Sequence, residues 1–393
     1  MEIGDLIQIS VAILGLVFAV AIPAAGAAYW VGSQLAKRAE ENEKLQLKKE
    51  IADLERNIAH QERQVSEMEL SVSGEASEFQ LDEVTRYLSV YGRTVWQSKP
   101  PPKSTPSHSS PLKVVTFANN KGGVGKTTLA ANYAYHRSKS GDRVLMIDMD
   151  YQGSMTSTAL AATGTASRSG VPAQERTTAY SWLDDSFEPK RFLDNLTKLR
   201  CFHNGTMSLL EAGYDLSTEE DRRLFLWLTS VDETDIRFRL SKLIWSEVVS
   251  SEYDIIVIDA PPKLSVGSLN GLIASTHYVV PTILDTLSAT PIRLLLQNHA
   301  DIFGYVGTRP KLCGVAAVKT RTKNLNENEI KNINTINQLL ESRGLDTRVF
   351  ETHIPFSVKY ARAAGRQFVL DEATVGGRLR CLFEELDAAV GVV

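Results

Sequence analysis

The residues best suited to chemistry lie in one short stretch, residues 121–128, whose sequence is KGGVGKTT. Glycines let the backbone approach a ligand closely, and successive N–H groups at the start of a helix attract phosphate oxygens. The lysine and threonine that follow supply an ammonium group for the phosphates and a hydroxyl for Mg²⁺. We therefore predict a phosphate-binding loop, although Asn120 stands where the G-x-x-x-x-G-K-[ST] pattern has its first glycine. Its predicted nucleotide-binding residues are Gly122, Gly123, Val124, Gly125, Lys126, Thr127 and Thr128.

Such a loop needs a strand before it and a helix after it, and the surrounding sequence predicts both. Residues 114–118 form a short apolar run, and residues 126–140 have helical character before Gly141. The later apolar runs are residues 143–148, 254–259, 278–281 and 312–318. Apolar runs separated by helices predict an α/β fold with a mostly parallel sheet and helices on both faces. We assign residues 113–393 to this domain.

The octet at residues 121–128 resembles the deviant Walker A motif of the ParA/MinD family of ATPases, whose additional lysine corresponds to Lys121. Residues 147–154 (IDMDYQGS) are similar to the family's D-x-D-P-Q-G-N motif. Residues 253–262 (YDIIVIDAPP) are similar to its Walker B strand and D-x-P-P turn, and residues 353–355 (HIP) to its late I-P segment. These ordered motifs identify the domain as a P-loop NTPase similar to this family.

The resemblance implies an enzyme that hydrolyses ATP with Mg²⁺ and forms an ATP-sandwich dimer. Lys121 would reach the phosphates bound by the other subunit, where negative charge develops during the reaction. Lys126 would hold the β- and γ-phosphates, and Asp150 would position the attacking water. We therefore expect these three residues to be catalytic.

The resemblance also implies a metal site and two further contacts. Thr127, with Asp148 and Asp259 at the ends of two apolar runs, would support Mg²⁺ or its water shell. Solubilising charges at strand ends are the alternative interpretation of the two aspartates. Asn270 would contact the other subunit across the sandwich, and the loop around Pro355 would border the adenine.

The chain departs from the family pattern in ways that bear on function. Tyr151 and Ser154 replace the proline and asparagine of D-P-Q-G-N, which changes the setting of the attacking water. Phe356 stands where DNA-partitioning members often carry a basic residue. A nearby basic run would share one helical face and consists of Lys359, Arg362 and Arg366. These charges would form either a solvated face or a nucleic-acid contact.

An apolar segment near the N-terminus predicts a membrane anchor. Residues 6–32 carry no charge, and as a helix they would extend about 40 Å, which is enough to cross a bilayer. Glu2 and Asp5 precede the segment and basic residues follow it, which disfavours a signal peptide. The positive-inside rule then places the N-terminus outside and the ATPase domain in the cytoplasm. We predict that residues 1–32 are a single-pass anchor in the inner membrane, with a buried core helix as the alternative.

The residues between the anchor and the domain predict a helical stalk and a linker. Residues 33–73 lack glycine and proline and carry a heptad-like seam of Ile51, Leu54, Ile58, Gln61, Val65, Met68 and Val72. This seam predicts self-association through a coiled coil, or an amphipathic helix that packs on another protein. Residues 74–96 predict a further amphipathic helical segment, and the Pro/Ser-rich residues 97–112 predict a linker.

Composition narrows the function classes. The net charge of −4 argues against wrapping of nucleic acid, and the three widely spaced cysteines indicate neither disulfides nor a zinc site. The leading hypothesis is a membrane-anchored ATPase whose ATP-dependent dimerisation and hydrolysis control the assembly, recruitment or positioning of unidentified partner proteins. The alternatives are an anchored DNA-binding partition ATPase and an ATP-binding scaffold with slow hydrolysis. A membrane-adaptor tyrosine kinase is disfavoured because the C-terminal stretch lacks tyrosine.

Overall fold

The computed structural model describes residues 95–102, 110–167, 181–183, 188–201, 203–213, 215–229, 234–284, 289–320 and 325–392. The predicted anchor and stalk lie outside these ranges, as does most of the predicted amphipathic segment 74–96. A search of the described helices for one both long and apolar enough to cross a bilayer finds none.

Eight strands of the described chain form one sheet with the order β3-β4-β2-β5-β1-β6-β7-β8. The strands are β1 (Lys113–Phe117), β2 (Arg143–Asp148), β3 (Thr197–Leu199), β4 (Thr206–Leu210), β5 (Ile255–Asp259), β6 (His277–Ile283), β7 (Lys311–Thr320) and β8 (Ile354–Pro355). Every neighbouring pair is parallel except β3 and β4. The carboxyl ends of β1, β2 and β5 therefore meet at one edge, where Phe117 and Asp148 both pair with Asp259.

Helices cover both faces of this sheet. The described helices are α1 (Lys126–Lys139), α2 (Ser154–Thr163), α3 (Pro189–Asp194), α4 (Asp215–Leu228), α5 (Arg239–Ile244), α6 (Glu247–Ser250), α7 (Val266–Ala274), α8 (Ala289–Val306), α9 (Glu327–Ser342), α10 (Val358–Ala363) and α11 (Gly376–Val390). Val115 packs in one core with α1, α2 and α11, whereas its neighbour Val114 packs in another with α4 and α7. This alternation follows from the period of two along a strand and leaves a core on each face.

The predicted α/β fold is confirmed, and all five predicted apolar strands are present within a residue or two of their expected bounds. The predicted helix after the loop is α1. The strands β3 and β4 are not predicted from the sequence, since their segments TKL and TMSLL are short and interrupted by polar residues. Their backbone hydrogen bonds come from tertiary pairing, in which β4 joins β2 and β3 turns back on β4.

The predicted linker 97–112 differs from the structure at both ends, because residues 95–102 pack against the domain. The indole of Trp96 is buried among side chains of the sheet and α4–α8. The guanidinium of Arg237, which is fully buried, donates hydrogen bonds to the backbone carbonyls of Trp96 (2.6 Å) and Pro100 (2.9 Å). At the other end Leu112 is buried in the same core. Prolines supply no N–H groups to pair with neighbouring carbonyls, so a buried arginine can bind carbonyls of this segment and hold it in place.

Candidate functional site

The glycine loop connects the carboxyl end of β1 to α1 and is held in place by Asn119. The Asn119 side chain donates a hydrogen bond to the Pro281 carbonyl of β6 (2.7 Å) and accepts one from the Lys121 N–H (2.9 Å). The loop is thereby tied to the neighbouring strand before it turns. No local pattern in the sequence marks Asn119, because its role depends on a strand more than 160 residues away.

The backbone of the loop requires glycine at two positions. Gly123 has φ 71° and Gly125 has φ 79°, both in the left-handed region that side chains disfavour. Gly125 is also the N-cap residue that precedes α1, and no side chain caps the helix there. The first N–H groups of α1 are therefore open to an external acceptor, and the helix dipole favours an anion. Val124 is fully buried and anchors the loop between the two glycines.

Lys126 is the first residue of α1, and its side chain is almost fully buried. Its ammonium group donates a hydrogen bond to the Lys121 carbonyl (3.2 Å). Burial lowers the pKa of Lys126, while the charges of Asp259 and Asp150 act in the opposite direction. A buried ammonium group next to open helix N–H groups is suited to phosphate oxygens, whose charge would offset its desolvation.

Asp148, at the end of β2, has hydrogen bonds to both carboxylate oxygens. It accepts from the Asp150 N–H (3.2 Å) and from both the N–H and the hydroxyl of Thr156 (each 2.8 Å). Burial raises the pKa of Asp148 to about 6, and these hydrogen bonds act against the rise. Asp148 thus shapes the turn from β2 into α2 and orients Asp150, and its predicted metal role remains a proposal.

Asp259, at the end of β5, is equally buried but differently surrounded. Neither of its carboxylate oxygens accepts a hydrogen bond of ordinary geometry from the described residues. Burial and the charge of Asp148 raise the pKa of Asp259, and the Thr127 hydroxyl and Lys126 lie close enough to oppose this. A buried carboxylate with unused lone pairs costs several kcal/mol unless a cation compensates it. The residues Asp259 and Thr127 therefore fit a site for Mg²⁺, which prefers oxygen ligands.

A cleft of about 720 Å³ runs beside the loop. Its lining includes residues 122–128 and Asp150 together with Val318, Pro355 and Phe356. Pro355 thus lines the same cleft as the loop, and its predicted contact with the adenine stays a prediction. Asp148, Asp259 and Lys121 do not line the cleft; the two aspartates lie side by side as register partners at the strand ends.

The structure does not bring Asn270 to this cleft. Its side chain, fully buried in α7, donates to the carbonyls of Ile236 (2.8 Å) and Val266 (2.9 Å). Its carbonyl oxygen accepts from the Leu240 N–H (3.1 Å). These bonds occupy the amide within the chain, so the predicted contact of Asn270 with another subunit is not supported. The asparagine instead satisfies backbone groups where residues 236–240 meet α7.

The predicted basic face is also corrected. Helix α10 ends at Ala363 and Gly365 has φ 69°, so Arg366 does not share a helical face with Lys359 and Arg362. The Lys359 ammonium group donates to the Thr374 hydroxyl (2.5 Å) and lies 3.9 Å from the Glu372 carboxylate. An acidic neighbour reduces the positive potential that nucleic acid would need at this place.

Known proteins place this fold in a family. A family model described as an AAA domain matches residues 112–307. The chromosome-partitioning ATPase Soj of Treponema pallidum is 30% identical over 258 residues, which are 64% of this chain and 86% of Soj. The chromosome-partitioning protein ParA of Caulobacter vibrioides is 27% identical over 257 residues, 65% of this chain and 85% of ParA. An ATP complex of a McdA variant from Cyanothece superposes with a TM-score of 0.58 at 20% identity, covering 72% of this chain and 98% of McdA. The chain belongs to the ParA/MinD-type family of P-loop ATPases.

Proposed function

We propose that this chain binds ATP together with Mg²⁺ and hydrolyses the ATP. One observation carries the proposal. The start of α1 at the glycine loop has no side-chain cap and is open to an anion, and Lys126 and Thr127 there act on the buried carboxylate of Asp259, which has unused lone pairs. An anion site and a cation site in contact suit a magnesium nucleotide. The Soj name and the ATP-bound McdA relative point to the same ligand.

Each residue of the chain then has a physical task. The N–H groups of residues 123–128 and the Lys126 ammonium group bind the phosphate chain, and the Thr127 hydroxyl with Asp259 would hold Mg²⁺. When bound, the metal supplies positive charge that offsets the charge of the phosphates. Asp150 orients the attacking water, and its own carboxylate is steadied by the Gln152 N–H (3.1 Å). Electrostatic positioning of this kind provides most of the catalysis in phosphoryl transfer.

The proposal includes a dimer in which ATP lies between two subunits. Lys121 begins the loop, with its N–H held by Asn119 and its carbonyl by Lys126. In the proposed dimer the Lys121 side chain contacts the phosphates of the opposite subunit and adds charge stabilisation there. ATP would thus control the assembly, and assembly would recruit or position partner proteins.

ATP turnover and sedimentation of the full chain test this proposal. We expect Lys126→Ala to abolish ATP binding, and Asp150→Ala to retain binding but lower turnover by about 100-fold. Lys121→Ala should retain binding by the monomer and lose both ATP-dependent dimerisation and turnover. The matched control is Lys139→Ala, which removes an exposed lysine of the same helix that pairs with Asp371 and should change little. Unchanged dimerisation and turnover in both Lys121→Ala and Lys126→Ala would refute the proposal.

We further propose that residues 1–32 anchor this ATPase to the inner membrane, with its domain in the cytoplasm. The uncharged segment 6–32 and the basic residues after it support this topology. Confinement to a surface and a self-associating stalk at residues 33–73 would raise the local concentration of domains and favour dimers. The full chain should float with lipid vesicles in a density gradient, and a chain without residues 1–32 should stay at the bottom. Flotation of both chains would count against the anchor.

A further inference from the structure

Lys319 has an unusual backbone conformation for a lysine. Its φ is 55°, and it is the one non-glycine residue with positive φ among those that the structure describes. Positive φ is strained for a long side chain with a Cβ atom, whereas glycine and asparagine adopt it readily. Residues held in this region against their preference concentrate at functional sites.

The neighbouring strand holds Lys319 in this conformation. Val318 pairs with Ile354 and Thr320 pairs with Pro355, so the register of β7 and β8 shifts across Lys319. The Thr320 carbonyl also accepts a hydrogen bond from the Phe356 N–H (2.8 Å). Val318 and Thr320 are both buried, while the side chain of Lys319 between them is exposed. Bulges of this kind redirect a side chain out of a sheet.

The redirected side chain extends to the glycine loop. Its ammonium nitrogen lies 3.9 Å from the point that a Cβ atom of Gly123 would occupy, and Val318 is as close to the corresponding point of Gly125. Lys319 also lines the cleft of about 720 Å³ beside residues 122–128. Within the described ranges no hydrogen bond or ion pair engages its ammonium group, whereas that of Lys126 is held by the Lys121 carbonyl.

We propose that Lys319 is a further phosphate-binding residue, whose ammonium group contacts the phosphate chain of the nucleotide bound by the glycine loop of the same subunit. This inference rests on the proposed ATP function of the site. The strained backbone carries the ammonium group to the edge of the loop, whereas a side chain on a regular strand would point to one face of the sheet. Lys126 reaches the phosphates from the helix, and Lys319 reaches them from the end of β7.

Substitutions of Lys319 separate its charge from its backbone conformation. Asparagine tolerates the left-handed region and lacks the charge, so Lys319→Asn should keep or raise the melting temperature of the nucleotide-free chain. The same variant should bind ATP and ADP about tenfold or more weakly, because a charged hydrogen bond is lost. Lys319→Arg retains the charge and should stay within about threefold of the parent chain. Titration calorimetry of the full chain with ATP, ADP and AMP, all with Mg²⁺, measures these changes.

The pattern of affinities decides the outcome. We expect Lys319→Asn to lose more affinity for ATP and ADP than for AMP, and Lys319→Arg to restore the affinity. Equal losses of affinity for all three nucleotides would place Lys319 on a group that AMP shares (the α-phosphate, ribose or base) and overturn a contact with the β- or γ-phosphate. Normal affinity of Lys319→Asn, in a chain whose Lys126→Ala variant no longer binds, would overturn this inference alone. If the parent chain binds no ATP, the proposed function fails as well.

Discussion

At the scale of single residues, Asp148 and Asp259 show how similar sequence positions acquire different chemistry. Both end an apolar strand, both are fully buried, and they are register partners on adjacent strands. Asp148 accepts one hydrogen bond from the turn that follows it and two from the first turn of α2, whereas Asp259 accepts none of ordinary geometry from the described residues. The first carboxylate is therefore part of the local structure, and the second retains oxygens for a ligand.

Replacing Asp259 by asparagine tests this difference. Asp259→Asn removes a buried carboxylate that accepts no hydrogen bond of ordinary geometry from the described residues, so the nucleotide-free chain should gain about 1–3 kcal/mol in unfolding free energy. The same variant should lose the additional stability that ATP and Mg²⁺ give the parent chain. Denaturant unfolding with and without the magnesium nucleotide measures both quantities.

The matched control is Asp148→Asn on the adjacent strand. An asparagine amide cannot accept all three hydrogen bonds of Asp148, so this variant should lose about 1–2 kcal/mol. If both variants change stability in the same direction, the two aspartates do not differ as described.

At the scale of elements, Glu220 joins α4 to the start of α7. Its buried carboxylate accepts a hydrogen bond from the Gly267 N–H (2.7 Å), in the first turn of a helix whose capping box is Ser265 with Ser268. A Cβ atom on Gly267 would lie 2.5 Å from that Glu220 oxygen, so the close contact requires glycine. Because α7 follows the D-x-P-P turn after β5, this contact helps to position the segment leading from Asp259.

The pKa of Glu220 makes this contact dependent on pH. Burial is the largest cause and raises the pKa of Glu220 from 4.5 to about 7. The Asp221 charge adds to this rise. The Gly267 N–H, the Lys263 charge and the Ser265 hydroxyl oppose it. A carboxyl group with a raised folded-state pKa contributes stability below its unfolded pKa, and this is lost as pH rises to the folded value. We expect the titration of Glu220 to lower the unfolding free energy of the nucleotide-free chain by about 3 kcal/mol as the pH rises from 4.5 to 7.

Comparison with two variants isolates this effect in denaturant unfolding curves taken from pH 4.5 to 8. Glu220→Gln keeps an acceptor for the Gly267 N–H and cannot titrate, so its stability should lack the decrease. Glu219 is the control with the opposite sign, because hydrogen bonds from Arg222 and Arg223 lower its pKa. Glu219→Gln should therefore retain the decrease. A parent chain with the same pH profile as Glu220→Gln would contradict the assignment.

The same scale shows which elements a sequence can predict. The strand at Ile255–Asp259 is fully buried and reads as an unbroken apolar run, and Gly125 and Gly141 bracket α1. Such patterns depend only on residues close together in the chain, so they can be recognised without the tertiary structure. The short strand Thr197–Leu199 has no comparable pattern, since its hydrogen bonds depend on a partner strand at the sheet edge. Likewise, α10 ends earlier than the spacing of its basic residues suggested.

At the scale of the whole molecule, residues 95–102 belong to the ATPase domain. The guanidinium carbon of Arg237 lies 5.2 Å from the ring centroid of Trp227 and 5.8 Å from that of Tyr305. The same guanidinium donates hydrogen bonds to the carbonyls of this segment. The Tyr305 hydroxyl donates a further hydrogen bond to the Lys99 carbonyl (3.1 Å). The same guanidinium forms a salt bridge with the Asp235 carboxylate (2.6 Å), so a buried and charge-compensated arginine with aromatic neighbours holds the segment. The segment that leads out of the domain therefore leaves from a defined place on its surface.

The sequence by itself determined the phosphate-binding loop, the parallel α/β fold and the family, because glycine spacing and apolar runs act through local backbone physics. Tertiary structure alone decided which polar groups are free for ligands. Asp148 accepts hydrogen bonds from Thr156, whereas Asp259 accepts none of ordinary geometry from the described residues. The amide of Asn270 is hydrogen-bonded within the chain, and the register shift in β7 directs Lys319 towards the loop. These outcomes depend on contacts between residues far apart in the chain, and no local pattern encodes them.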